Sequence, residues 1–157
     1  MKRVVSCLLL LLLALLAPIS PALASATIQS FEPESMALIR QAHQGRPFVL
    51  ALWSSDCVYC LQNLELLAQA QRARPALQVV IVATDPLEIA DELNRLLARH
   101  RLRGERWAFG GAAPERLRYT IDPAWQGELP RSYLFAASGA VSAISGPIRR
   151  ELLDALR

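Results

Sequence analysis

A short apolar run that leads into a pair of cysteines constrains the fold of this chain more than any other feature. Phe48 to Trp53 reads FVLALW and contains no polar residue. A run this short and apolar on both faces is typical of a buried central strand. Directly after it, Cys57 to Ala73 carries apolar residues at helical spacing, until Pro75 ends the pattern. A buried strand that passes straight into such a helix predicts an α/β fold.

The rest of the chain continues this alternation. We interpret 25–35 as an extended entry segment and 101–126 as the least regular part, with only a short helix in it. We expect Asp85 to cap the helix that it begins, because Pro86 suits the first helical position and Glu88 can complete a capping box. The pattern predicts helices over Glu34–Gln44, Asp85–His100, Glu115–Tyr119 and Ile148–Leu156, and strands over Leu77–Ala83, Ser132–Ala136 and Ala140–Ser145.

The first two dozen residues have the plan of a secretory signal peptide. A positively charged start and the apolar stretch Val4 to Ala17 are followed by the small residues Ala22 and Ala24 at a cleavage site. We therefore predict a signal peptide over 1–24 and one exported, periplasmic domain over 25–157. The apolar stretch is shorter than the roughly 20 residues that span a bilayer as a helix. An uncleaved N-terminal anchor is the second interpretation.

Composition excludes several classes of protein. The chain is 53% hydrophobic and 20% charged, whereas disordered chains are poorer in apolar residues. Its formal net charge of +3 falls when Lys2 and Arg3 leave with the leader, so no global basicity argues for a nucleic-acid partner. A basic run between Arg95 and Arg106 coincides with the end of a predicted helix, and we interpret it as a solvated face. We predict a monomer that binds no nucleic acid.

Two cysteines remain once Cys7 has left with the leader. Cys57 and Cys60 lie three residues apart, and such a pair in an oxidising compartment either reacts or binds a metal. At a helix start, unpaired backbone N–H groups and the helix dipole favour a thiolate on Cys57. Cys60 begins the buried stripe of the same helix. We therefore predict Cys57 as the nucleophile and Cys60 as the shielded resolving cysteine.

The strand before this motif and the helix after it resemble the thioredoxin superfamily, in particular the exported TlpA-like thiol-disulfide oxidoreductases. The resemblance covers 48–157. It implies an α/β, thioredoxin-like fold in which helices flank a central mixed β-sheet. Pro130 follows Cys60 by 70 positions, which is similar to the TlpA-like branch and its central insert. The residues that carry the resemblance are Phe48–Trp53, Cys57-Val-Tyr-Cys60, Ala83-Thr-Asp85 and Gly127-Glu-Leu-Pro130.

The resemblance also implies an activity. Cys57 would attack a disulfide of a protein substrate, and Cys60 would resolve the mixed disulfide, with no cofactor and no metal. Leu129 and Pro130 would bind an extended substrate segment across a cis peptide bond. The implied partners are protein substrates with disulfides or thiols and a membrane thiol donor that regenerates the dithiol. The implied direction is reduction, of the type needed for cytochrome c or copper-oxidase assembly.

Two positions depart from the family pattern. Thioredoxins usually place Trp before the first cysteine and Pro before the second, where this chain has Asp56 and Tyr59. Like-charge repulsion from Asp56 should raise the pKa of the Cys57 thiol and make the pair a reductant. A helix-capping role for Asp56 is the alternative.

Two other functions stay open on the sequence alone. A dithiol of this kind can hold Cu(I) in a chaperone module, for which His43 and His100 are the only histidines available as further ligands. An oxidase or isomerase of the same fold would run the disulfide exchange in the other direction.

Overall fold

The computed structural model describes residues 27–156, so the predicted signal peptide lies outside the described residues. Strands and helices alternate along the described chain, except that β5 is followed directly by β6. Its elements are β1 (Ile28–Phe31), α1 (Ser35–Ala42), β2 (Phe48–Trp53), α2 (Val58–Ala73), β3 (Gln78–Pro86), α3 (Ala90–His100), β4 (Glu105–Phe109), α4 (Pro114–Ile121), β5 (Arg131–Phe135), β6 (Val141–Ser145) and α5 (Arg150–Asp154).

The six strands form one mixed sheet in the order β1-β4-β3-β2-β5-β6. The first four strands of that order run parallel to one another, while β5 is antiparallel to β2 and β6 is antiparallel to β5. All six residues of β2 are buried, as the apolar run Phe48–Trp53 predicts. The carboxyl ends of the parallel strands therefore meet at one edge of the sheet, and the loops that follow them lie there together.

Helices cover both faces of the sheet, and each face has its own core. Side chains of α2, α3 and α5 pack on one face, where Leu64, Leu97 and Leu153 are at most 1% exposed. Side chains of α1 and α4 pack on the other, where Ile39 and Leu117 are buried. The whole sheet and both cores lie within 28–156, after the predicted leader.

The prediction that Asp85 caps a helix is wrong. Strand β3 continues through Asp85 to Pro86, a 3₁₀ turn follows at Leu87–Ile89, and α3 begins only at Ala90 without a side-chain cap. The physical reason is a competing partner, because the Asp85 carboxylate accepts hydrogen bonds from Ser55 in the neighbouring loop.

Two strands lie in segments that the sequence pattern left irregular or merely extended. Strand β1 is an edge strand of four residues, and β4 lies between β1 and β3. Helix α3 and strand β4 both fall between Cys60 and Pro130, where the resemblance implies an insert. Among the described helices, none has the length and apolar composition needed to cross a bilayer.

Candidate active site

The two cysteines lie at the first turn of α2. Cys57 is the N-cap residue of this helix, and its extended backbone (φ −87°, ψ 99°) turns the chain out of the loop that follows β2. Its Sγ accepts the backbone N–H of Cys60 at 3.2 Å. The two sulfur atoms form a disulfide with an S–S distance of 2.06 Å and a Cα–Cα distance of 5.1 Å. The start of the helix thus brings the pair into bonding distance.

The two sulfur atoms differ in their access to a partner. Cys60 is fully buried in the core beneath α2, whereas Cys57 is only partly buried. Val58 and Tyr59, which lie between them, are 67% and 61% exposed although both are apolar or largely so. A partner can therefore approach Cys57 across an exposed apolar surface, while Cys60 is reached only through Cys57.

A hydrogen-bonded tether fixes the loop that carries Cys57. Ser55 donates its backbone N–H to Asp85 Oδ2 at 3.0 Å and its hydroxyl to Asp85 Oδ1 at 2.7 Å. The Thr84 hydroxyl donates to the carbonyl of Trp53 at 3.3 Å. The end of β3 thereby holds the end of β2 and the loop after it. Sequence reasoning missed this role because Asp85 also fits a helix-capping pattern.

Asp56 is exposed and lies between this tether and Cys57. Its carboxylate accepts the Ser54 hydroxyl. It does not cap α2, since the N-cap position belongs to Cys57 and the sulfur there takes the N–H of Cys60. The carboxylate remains next to the nucleophile in the chain, as the sequence-based hypothesis requires.

The loop before β5 carries the predicted substrate-binding residues. The Leu129–Pro130 peptide bond is cis. The carbonyl of Pro130 accepts the backbone N–H of Gly146 at 2.8 Å. Leu129 packs against the same core cluster as Cys57 and Cys60. The loop and the dithiol thus pack against the same core cluster.

A network around Arg131 holds this loop, and sequence reasoning did not identify it. The Arg131 guanidinium contacts Asp122 at 2.9 Å, Glu128 at 3.2 Å and the Tyr133 hydroxyl at 3.0 Å. The Tyr133 hydroxyl donates to Asp122 at 2.9 Å. The indole N–H of Trp125 donates to the carbonyl of Glu128 at 2.9 Å. An arginine directly after the predicted cis proline, at the start of a buried strand, is the signal that would have pointed to the network.

Several members of the network have shifted pKa values, among them Asp122 and Tyr133. The backbone N–H of Ala124 is the main cause that lowers the pKa of Asp122, helped by Tyr133 and Arg131 and opposed by burial. Burial raises the pKa of Tyr133 to about 12. At neutral pH the carboxylate is therefore charged and the phenol is neutral, which is the pairing that their mutual hydrogen bond requires.

Neither histidine lies beside the dithiol. His43 Nε2 donates to the Glu105 carboxylate at 2.9 Å and stacks on Phe48, the first residue of β2. Cys57 lies beyond the other end of that strand, about 20 Å away. His100 contacts Glu65 at 3.3 Å, which is about 12 Å along α2 from its start. Within residues 27–156, no three side chains of His, Cys, Asp or Glu are grouped as a metal site.

Comparison with known proteins identifies the fold. No protein-family model and no curated protein matches the chain. Among solved structures, a secreted Mycobacterium tuberculosis disulfide oxidoreductase homologous to E. coli DsbE is 20% identical, with a TM-score of 0.56 over 72% of this chain and 81% of that one. The chain has a thioredoxin-like fold. The predicted fold class and the structural resemblance to thioredoxin-like proteins are thus confirmed.

Two further structures share this thioredoxin-like fold. A thiol:disulfide interchange protein of the thioredoxin family from Chlorobium tepidum is 20% identical, with a TM-score of 0.58 over 74% of this chain and 81% of that one. A thiol-disulfide isomerase from Corynebacterium glutamicum is 14% identical, with a TM-score of 0.56 over 74% of this chain and 84% of that one.

Proposed function

We propose that this protein is an exported thiol-disulfide oxidoreductase that exchanges disulfides with protein substrates through Cys57 and Cys60. The observation that carries the proposal is the unequal exposure of two bonded sulfur atoms at the start of α2. One sulfur can meet a substrate, and the other can reach only its neighbour. The thioredoxin-like fold and the names of its structural neighbours support the same activity.

The reaction starts from the reduced dithiol. The Cys57 thiolate attacks one sulfur of a substrate disulfide, forms a mixed disulfide and releases the other substrate sulfur as a thiolate. Cys60 then loses its proton and attacks the Cys57 sulfur, which breaks the mixed disulfide and releases the second substrate thiol. The substrate gains two electrons and the Cys57–Cys60 disulfide forms. A membrane thiol donor restores the dithiol by the same exchange.

Substrate binding falls to the exposed surface around Cys57 and to the loop before β5. Val58 and Tyr59 offer apolar contact to a polypeptide. The backbone of Leu129, ahead of Pro130, offers hydrogen bonds to an extended segment. Side chains of Arg131 and its partners fix this loop.

Reduction is the proposed direction, in the service of cytochrome c or copper-oxidase assembly. The exposed carboxylate of Asp56 disfavours a thiolate on Cys57 by like-charge repulsion. A dithiol whose reduced form is less stabilised gives up its electrons more readily than a strong oxidant does. Export fits the leader pattern of the sequence, and one structural neighbour is itself secreted.

Single cysteine variants test the activity. With a disulfide-containing model protein, Cys60→Ser should accumulate a mixed disulfide through Cys57, and Cys57→Ser should accumulate none. Equal trapping by both variants would contradict the assigned roles. Tight Cu(I) binding that needs both cysteines, by a pair that does not exchange disulfides, would replace the proposal with the metal-binding module.

Equilibration of the domain with glutathione buffers tests the direction. A reduction potential near or below roughly −220 mV supports a reductase, and one near −120 mV means that the protein oxidises its substrates. The second result would leave the exchange activity intact and overturn only the direction.

A further inference from the structure

Carboxylates predominate at one end of the domain and arginines at the other. The dithiol end comprises the loops after the parallel strands, the loops before β5 and after β6, and the first turns of the helices that follow. The arginine end comprises the opposite end of the strands, with the last turns of α1, α2 and α3. Carboxylates at the dithiol end are Glu32, Glu34, Asp56, Asp85, Glu88, Asp91, Glu92, Glu115 and Glu128. Basic residues at the arginine end are Arg40, Arg46, Arg72, Arg74, Arg99, Arg101, Arg103 and Arg106, whereas the dithiol end carries the four arginines Arg116, Arg131, Arg149 and Arg150.

The fold does not account for all of this separation. Two arginines of the arginine end have structural partners. Arg74 donates to the carbonyls of Leu153 and Leu156, and Arg106 donates to Asn94 and to a backbone carbonyl. Arg72 pairs with Glu65. Cations do stabilise a helix carboxyl end, but that accounts only for those in the last turns.

Five arginines of this end are exposed and form no ion pair with a described carboxylate. Glu65 and Glu105, the nearer carboxylates, already contact Arg72 and the two histidines, and Asp154 lies at the end of α5. Such a surface has a positive electrostatic potential, because few negative charges lie near it. The five are Arg40, Arg46, Arg99, Arg101 and Arg103.

Two of them flank an open cavity of about 420 Å³ at the same end. Arg40 and Arg46 line it on one side and Ser138 on the other, while Phe48 and Phe135 form part of its wall. Arg40 lies over the Phe135 ring at 5.3 Å, which holds its guanidinium at the rim. A pair of cations beside apolar rings suits a group that is anionic at one end and apolar at the other.

The chain before the domain joins it at this end as well. Ile28, the first residue of β1, pairs in register with Arg106, which follows the loop that carries Arg101 and Arg103. The chain that precedes the described residues therefore enters the domain at the arginine end and not at the dithiol end.

From these observations we infer that the arginine end docks on anionic lipid headgroups and turns the dithiol away from the membrane. Guanidinium groups bind phosphate oxygens in a bidentate fashion. Each arginine near an anionic surface adds to the attraction, and the carboxylates of the dithiol end are repelled by it. The opposed charges thus select one orientation. This docking does not depend on the chemistry of the dithiol.

Vesicle binding by residues 25–157 tests the inference, because the leader is absent and cannot itself enter the lipid. Co-sedimentation would use phosphatidylcholine vesicles with and without phosphatidylglycerol. The variant Arg99→Gln/Arg101→Gln/Arg103→Gln should bind the anionic vesicles about 100-fold more weakly than the parent. Arg116→Gln/Arg149→Gln/Arg150→Gln removes the same charge away from the arginine end and should leave binding nearly unchanged.

Several outcomes would overturn the inference. One is an absence of binding to the anionic vesicles at low salt, and another is equal weakening by the two triple variants, which would reflect net charge alone. Equal binding to neutral and anionic vesicles would also contradict it. A parent that binds single-stranded DNA but not the vesicles would assign the surface to a nucleic acid instead. Circular dichroism and disulfide exchange by each variant would show that the fold and the dithiol are intact.

Discussion

The carboxylate of Asp85 accepts both the backbone N–H and the hydroxyl of Ser55, at 3.0 and 2.7 Å. Asp85 lies near the end of β3 and Ser55 lies two residues before Cys57, so this contact joins the nucleophile loop to the strand beside it. Without this carboxylate, both donors of Ser55 would depend on water for a hydrogen bond in a half-buried loop. The contact fixes the loop that carries Cys57.

Loss of this contact should destabilise the domain. Removing a partly buried acceptor leaves two donors unpaired, so Asp85→Ala should lower the free energy of unfolding by about 1–3 kcal/mol in urea titrations. Glu88→Ala is the control, because this exposed carboxylate has no hydrogen-bonded partner among the described contacts, and it should stay within about 0.5 kcal/mol of the parent.

The same variant should also change exchange kinetics. A looser loop places Cys57 less often in the attacking position, so Asp85→Ala should slow reduction of a model disulfide more than Glu88→Ala does. Unchanged rates together with lost stability would show that the tether serves the fold alone.

Asp56 offers a direct test of how Cys57 is tuned. Removing the charge next to the nucleophile should lower the pKa of the Cys57 thiol, because the repulsion that opposes the thiolate disappears. Thiolate absorbance of the reduced protein, followed against pH in Asp56→Asn, measures this. The reduction potential of the variant should rise in parallel, since a stabilised thiolate makes the pair more oxidising.

Asp154→Asn is the matched control for this experiment, because it removes an exposed carboxylate at the arginine end. The pKa of the Cys57 thiol in this variant should equal that of the parent. An unchanged titration in Asp56→Asn as well would remove Asp56 from any tuning role.

The central part of the fold could be predicted because its signals are local. Phe48–Trp53 is apolar throughout, as a strand buried on both faces must be, and α2 begins where the cysteines follow a turn. These patterns depend on neighbours in sequence. The sheet order and the cis peptide bond before β5 depend on partners far away along the chain.

Strand β4 shows why other parts could not be predicted. Its residues Glu105 and Arg106 look like surface, and only pairing between β1 and β3 makes a strand of them. Asp85 shows the same limit for the site. Its capping pattern is a local preference, and the hydrogen bonds from Ser55, thirty positions earlier, override it.

The ion pair between Arg131 and Asp122 should be strongly coupled. A double-mutant cycle of Arg131→Gln and Asp122→Asn should give an interaction energy between about 0.5 and 3 kcal/mol, since the groups share a partly buried network. The exposed pair Arg118 and Glu115 is the comparison, for which about 0.3–0.5 kcal/mol is expected. Similar values for both pairs would mean that the network does not hold the loop.

Acid should weaken the same network. The pKa of Asp122 is lowered in the folded protein, chiefly by the N–H of Ala124. Its carboxylate therefore contributes stability that is present above the pKa of the unfolded chain and is lost as pH falls through the lower folded value. Urea titrations at neutral and acidic pH should show a smaller acid loss in Asp122→Asn than in the parent. An identical acid loss in both would contradict the assignment.

Alkali should act through Tyr133. Burial raises the pKa of this phenol from 10.0 to about 12, so the folded state resists its ionisation. The resulting stability is fully present below pH 10 and is lost as pH rises from there toward 12. Absorbance of phenolate should show a step near pH 12 that disappears in Tyr133→Phe. Because Tyr133 donates to Asp122, ionisation of the phenol would place two negative charges 2.9 Å apart. The Arg131 guanidinium, which contacts both oxygens, would offset only part of their repulsion. A domain that loses no stability between pH 10 and the alkaline step would show that the phenol is not held in its neutral form by the fold.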